Sequence, residues 1–323
     1  MAADGKETKV SAALNCIDLS NPDTKQSAAL LKEACMDSGF FYVINHGISE
    51  ELMEEVFGQS KKFFELPMDE KMKLLRNEKH RGYHPPLLEI LDHETNKRDD
   101  KEAYFMGVEL SEDDPDEERP FYGPNIWPPA DVFPEWKETM QRYHREVLHV
   151  ARSVARIIAL ALDLSVDFFD QPEMLGKPIA NFRILRYGGQ ICDSSEAILG
   201  AGAHCDFGIL TLLATDETWG LQICKDKDAK PQVWEYVQPL KRAFIVNIGD
   251  MLERLSNCVF RSTLHRVVAD QERYSIAFFL SPSHDGIIEC LPTCKSEENP
   301  AKFPPIKCRE LLCSRFTKSF QQN

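Results

Sequence analysis

The stretch Ala203-His204-Cys205-Asp206-Phe207-Gly208-Ile209-Leu210-Thr211-Leu212-Leu213-Ala214 sets an imidazole and a carboxylate two residues apart at the mouth of a short apolar run. Successive side chains of a strand leave on opposite faces, so His204 and Asp206 point to one side. From Pro178 onward similar β-rich runs recur, at 179–187, 208–214, 220–223, 232–236, 243–248, 259–268 and 273–280, with turn residues between them. Short strands at this spacing predict a sandwich or barrel of the jelly-roll kind rather than alternating β and α units.

Upstream of this region the pattern is mixed. Cys16-Ile17-Asp18-Leu19 reads as a short strand, followed by a helix from near Asp23 that Gly39 terminates. Phe40 to Ile44 (FFYVI) is aromatic and β-branched, as in a buried strand closed by Asn45-His46-Gly47, and Ser49 caps a helix that runs to Phe64. The segment 78–132 is rich in Pro, Gly and charge and is expected to be loop-dominated. Between Pro134 and Leu164, Trp136, Met140, Tyr143, Val147, Val150, Val154, Ile157, Ala161 and Leu164 recur at three or four residues, predicting the longest helix with one face buried. The expected class is α+β, mainly β: a helical N-terminal region (1–130), then a long supporting helix and a jelly-roll core (131–323), forming one compact unit.

The later runs add chemistry to the opening pair. His265, in Ser262-Thr263-Leu264-His265-Arg266-Val267, supplies a third ligand type. Two imidazoles and a carboxylate can make a facial triad for non-haem iron with open positions, or a hydrolytic zinc site. Eight residues on, Arg273 and Ser275 alternate onto one face, so a guanidinium fork and a hydroxyl can hold one carboxylate. Tyr187, ending Asn181-Phe182-Arg183-Ile184-Leu185-Arg186-Tyr187, could add its phenol. Taken alone, Arg273 would be a surface salt bridge.

Composition narrows the partners. With 43% hydrophobic and 28% charged residues over 323 positions the chain is expected to fold around a packed core. Its net charge of −14, from 38 basic and 52 acidic residues, opposes binding to nucleic acid or acidic membranes. MAADGKETKV lacks the apolar run of a signal peptide, and no stretch is apolar enough to span a bilayer, so a cytoplasmic location is expected, with the nucleus left open, and nothing demands more than a monomer. The ten cysteines are then expected as thiols. Cys290 and Cys294, with no second pair, do not read as a zinc site.

The ordered set His204, Asp206, His265, Arg273 and Ser275 resembles the 2-oxoglutarate and Fe(II)-dependent dioxygenases, and more narrowly their plant soluble class, related to isopenicillin N synthase. Ile17-Asp18-Leu19, Gly39 to Gly47, Phe63-Phe64-Glu65-Leu66-Pro67 and Asn247-Ile248-Gly249-Asp250-Met251-Leu252 look like motifs of that class. His46 and Asp250 would be turn and sheet-edge residues there. One departure is Leu185, where the family often has Asn before Tyr, and Gly188-Gly189 replaces a proline turn. The loop from Gly188 to Ala203 is therefore expected to serve substrate selection.

The resemblance implies Fe(II) on His204, Asp206 and His265, and 2-oxoglutarate reaching Arg273, Ser275 and Tyr187. It further implies O2 as oxidant, ascorbate as a supporting reductant, and succinate and CO2 as coproducts of the oxidation of a small organic metabolite. Hydroxylation is the default outcome, with desaturation, ring closure or demethylation set by where the C–H bond lies. Phe105, Phe207 and Phe279 are candidates for the substrate pocket, although each alone would read as plain core. The rival readings are an oxidase of the same fold that does without 2-oxoglutarate, and an inactive binding protein.

Overall fold

The computed structural model describes residues 11–92, 94–95, 97–188 and 199–320. In chain order these form β1 (Cys16–Asp18), α1 (Thr24–Asp37), β2 (Phe40–Ile44), α2 (Glu50–Phe64), α3 (Met68–Met72), β3 (Gly82–His84), β4 (Lys101–Gly107), α4 (Trp136–Ala161) and β5 (Ile179–Tyr187). Then follow β6 (Leu199–His204), β7 (Leu210–Thr215), β8 (Leu221–Cys224), β9 (Glu235–Tyr236), β10 (Phe244–Ile248), α5 (Asp250–Leu255), β11 (Leu264–Val268), β12 (Arg273–Ser281), β13 (Ile287–Ile288), β14 (Ile306–Lys307) and α6 (Cys308–Phe320).

Two sheets make the core. The larger runs β1-β2-β10-β7-β12-β5-β4-β3 and the smaller β6-β11-β8-β9. The central strands of the first and the four of the second are the expected jelly roll, and its pairings are antiparallel. The larger sheet buries both faces, and the alternation of its strands shows how. On β12, Tyr274, Ile276, Phe278 and Leu280 join the core on the helical side, together with Phe182 and Ile184 of β5. Leu185 and Tyr187 of β5 and Ala277 of β12 turn the other way and meet Ala201, Leu221, Ile223 and Val267 of the smaller sheet. The functional residues lie on this inner face.

The helices cover the outer face. α4 buries Trp136, Met140, Tyr143, Val147, Val150, Val154 and Ile158, close to the predicted stripe. Ile157 is only partly buried, and Leu164 lies beyond the helix end. Asp23 and Ser49 cap α1 and α2 as their sequence implies, each accepting a backbone N–H from the first turn. Gly39 ends α1 at φ +67°, and a Cβ there would strike the Arg261 carbonyl.

The segment expected to be loop-dominated corrects that reading. It contributes β3 and β4, and every residue of β4 is buried, with Lys101 opposite Tyr187 and Phe105 opposite Arg183. Its strand character is masked because Lys101 and Glu102 carry buried charges, each satisfied by an ion pair: Lys71 meets Glu102 at 2.7 Å, and Lys101 meets Glu89 at 3.0 Å. Asp250 starts α5 rather than marking a sheet edge, and accepts from Ser262 Oγ and Arg315. Of the Gly188 to Ala203 loop, residues 189–198 lie outside the described residues, and the rest of it from Leu199 belongs to β6.

Candidate active site

His204 ends β6 and His265 lies on β11, directly opposite it in the ladder, with imidazole centroids 4.3 Å apart. Asp206 follows two residues after β6. Its Oδ1 is 3.7 Å from His204 Nε2 and 3.8 Å from His265 Nε2, and among the described residues these three alone gather ligand atoms, all within 4.8 Å. Neighbouring groups decide which atoms face inward. His204 Nδ1 bonds the Gly202 carbonyl at 2.7 Å and His265 Nδ1 the Thr263 carbonyl at 3.0 Å. Each carbonyl accepts the Nδ1 proton, which leaves both Nε2 lone pairs free. Thr211 Oγ1 and Asn247 Nδ2 donate to Asp206 Oδ2 at 2.6 and 2.8 Å, so Oδ1 is the free oxygen.

The protonation states suit a cation. Burial, with the facing His265 imidazole, holds His204 down to about 3. Burial opposes ionisation of Asp206, but the two imidazoles and the hydrogen bonds from Thr211 and Asn247 outweigh it and keep its carboxyl below the usual range. A neutral imidazole and a carboxylate therefore stand ready near neutral pH, the forms that bind metal. Thr211→Val keeps the shape but removes one donor to Asp206. It is expected to weaken Fe(II) binding about 10-fold, read by anaerobic titration.

The same inner face carries the second group. Arg273 and Ser275 are both 1% exposed, which corrects the surface reading of Arg273. Arg273 Nε and Nη1 and Ser275 Oγ are buried without a hydrogen-bond partner among the described residues. A buried guanidinium left without its hydrogen bonds is costly, so these atoms fit an anion such as the far carboxylate of a dicarboxylate. Tyr187 lies opposite Arg273 in the ladder, with the guanidinium 5.1 Å above its ring. Gly220 makes room for this pair, since a Cβ there would come within 3.0 Å of Arg273 Cδ. One cavity joins Arg273, Tyr187 and Lys101 to His204, Asp206 and His265, and Leu185 lines it as an apolar patch where the related motif has Asn.

A second cavity opens from His204 and Asp206 toward solvent. It brings together all three aromatic candidates, Phe105, Phe207 and Phe279. Residues the sequence reading did not single out complete it. Phe316 and Leu312 of α6 and Phe121 form its outer wall, and Arg183 lies between Phe105 and Phe279, with ring centroids 4.2 and 5.3 Å from its guanidinium carbon. Glu89 meets Arg183 Nη1 at 3.3 Å. Arg183 was within reach of the sequence, since even steps back from Tyr187 along β5 pass Leu185 and arrive at it.

A jelly roll with two imidazoles and one carboxylate converging beside an unsatisfied buried Arg–Ser pair defines a non-haem iron oxygenase that takes a 2-oxo dicarboxylate. Residues 14–130 match the family described as non-haem dioxygenase in morphine synthesis, N-terminal, and residues 180–282 match the 2OG-Fe(II) oxygenase superfamily. Kihadalactone A synthase LFS of Citrus sinensis is 62% identical over 94% of this chain and 91% of its own length. Azadirone synthase LFS of Melia azedarach is 54% identical, covering 98% and 96%. Among solved structures, a full-length Neurospora crassa protein in complex with alpha-KG superposes with a TM-score of 0.81 at 28% identity, covering 96% of this chain and 99% of that one.

The chain belongs to the 2-oxoglutarate- and Fe(II)-dependent oxygenase family, in its plant-type branch. It is an oxidoreductase that acts on a small metabolite, and the reading without 2-oxoglutarate is not favoured. No helix among the described residues is long and apolar enough to cross a membrane.

Proposed function

We propose that Fe(II) is held by His204 Nε2, Asp206 Oδ1 and His265 Nε2, and that Arg273, Ser275 and Tyr187 receive the far carboxylate of 2-oxoglutarate. The observation that carries this assignment is the pair of stranded donors Arg273 Nε and Nη1 in the cavity that also holds the three ligand side chains, with Ser275 Oγ stranded two residues further along β12. When bound, Fe(II) and 2-oxoglutarate supply O2-driven oxidation of a substrate C–H bond, with succinate and CO2 released. The protein's part is to aim three ligand atoms, neutralise the cosubstrate's charge and keep water from the reacting carbon.

The substrate proposed is an apolar, carbonyl-bearing molecule of the kind that the names kihadalactone A and azadirone denote for the two relatives. The aromatic wall of Phe105, Phe121, Phe207, Phe279 and Phe316 supports an apolar body, and the Arg183 guanidinium can donate to a carbonyl oxygen. The excess of acidic residues supports a protein that avoids nucleic acid and acidic membrane surfaces, and a cytoplasmic monomer using ascorbate as an auxiliary reductant is proposed with it.

The test is an anaerobic titration of metal-free protein with Fe(II) and then 2-oxoglutarate, following the visible charge-transfer band of their chelate. A band with both present is expected, and iron binding without a band would overturn the cosubstrate assignment. For the substrate, Phe279→Ala is expected to raise KM at least 10-fold and to shift the position oxidised. Unchanged turnover and product would remove Phe279 from the pocket.

A further inference from the structure

The two histidines are supported differently beyond their carbonyl partners. His265 leans on Thr263, whose hydroxyl donates to the Ser38 carbonyl. His204 leans on Gly202, and the Gly202 N–H donates to Asp99 Oδ1 at 2.8 Å. Asp99 is 2% exposed, and its other oxygen receives Lys101 Nζ at 2.5 Å. Lys101 also meets Glu89, which in turn holds Arg183 in the substrate cavity.

Gly202 is fixed from another side as well. A Cβ there would lie 2.8 Å from Asp92 Cβ and 2.9 Å from Asp92 N, so only glycine lets this backbone approach so closely. A hydrogen bond from its amide to Asp99 and close packing on Asp92 therefore set where the Gly202 carbonyl stands. That carbonyl sets the orientation and tautomer of the His204 ring.

We infer that Asp99 is a positioning residue for His204, acting through Gly202 to aim Nε2 at the metal. The inference rests on the reading of His204 as a ligand. The Glu89–Lys101 pair ties the same carboxylate to Arg183, so the substrate wall and one metal ligand share a buried chain of charge-assisted contacts. Outer partners of this kind, when removed, cost about 10–100-fold in metal affinity.

The experiment compares two variants that differ only in the acceptor. Both carry Lys101→Met, which removes the cation that Asp99 neutralises. One adds Asp99→Asn, whose amide oxygen still accepts from Gly202 N–H, and the other adds Asp99→Leu, of similar size and with no acceptor. Full-length protein is titrated with Co(II) alone, following its d–d absorption, and each melting temperature is recorded. The expected result is near-native affinity for the asparagine variant and affinity about 10–100-fold weaker for the leucine variant. Equal affinities overturn the inference. If the leucine variant is not recovered folded, Asp99→Ala replaces it in the same comparison, with the same two outcomes. His204→Ala is run alongside: native affinity there would overturn the ligand reading itself, whereas its loss together with equal affinities in the pair would overturn only the role of Asp99.

Discussion

His265→Ala is expected to leave a folded protein that no longer retains Fe(II) and has lost turnover. His265 would provide one of the three proposed ligand atoms, and its Nε2 faces Asp206 Oδ1 with no described side chain able to replace it. Outer partners of a metal ligand already contribute 10–100-fold to affinity, so deleting a ligand is expected to cost more than about 100-fold. The fold should tolerate the change, because the ring's aromatic contacts are a tilted one with His204 at 4.3 Å and an edge-on one with Phe40 at 5.5 Å between centroids, the latter worth about 1 kcal/mol. Co(II) titration and thermal melting separate the two effects. Near-native metal affinity in this variant would remove His265 from the site.

Arg273→Ala is expected to spare Fe(II) binding while raising the 2-oxoglutarate concentration required by at least 30-fold. Truncating one partner of a buried, hydrogen-bonded charge pair costs about 2–5 kcal/mol, equivalent to a factor between about 30 and several thousand. Arg273→Lys should recover only part of this, since an ammonium cannot form the two parallel bonds of a guanidinium. Chelate-band titrations against 2-oxoglutarate read both variants. An unchanged requirement in Arg273→Ala would move the dicarboxylate elsewhere and leave the stranded donors on β12 unexplained.

The jelly-roll strands other than β6, and α1, α2 and α4, were legible because their apolar periods are regular and because Asp23 and Ser49 cap α1 and α2. The inner-face set of Tyr187, Arg273 and Ser275 was legible for the same reason, since period-two alternation on β5 and β12 aligns those side chains. β4 was not, because a strand buried on both faces normally reads as an apolar run, and here Lys101 and Glu102 are neutralised by ion pairs from distant segments. β6 hides behind Gly200 and Gly202, whose missing side chains are needed to admit the Tyr187 ring and Asp92. α6 gave no clear stripe, and that Leu312 and Phe316 line the cavity beside His204 and Asp206 depends on tertiary placement alone.

The order of strands in the larger sheet also bears on how the chain folds as it is made. β2 must pair with β10, roughly 200 residues later, so the first buried strand waits for a partner not yet synthesised. At about 5–20 residues per second that wait lasts tens of seconds, during which the edge of FFYVI is unpaired. Such non-local pairing predicts slow, chaperone-sensitive folding. A chain halted before β10 would present an aromatic strand edge and aggregate, even with α1, α2 and α4 complete.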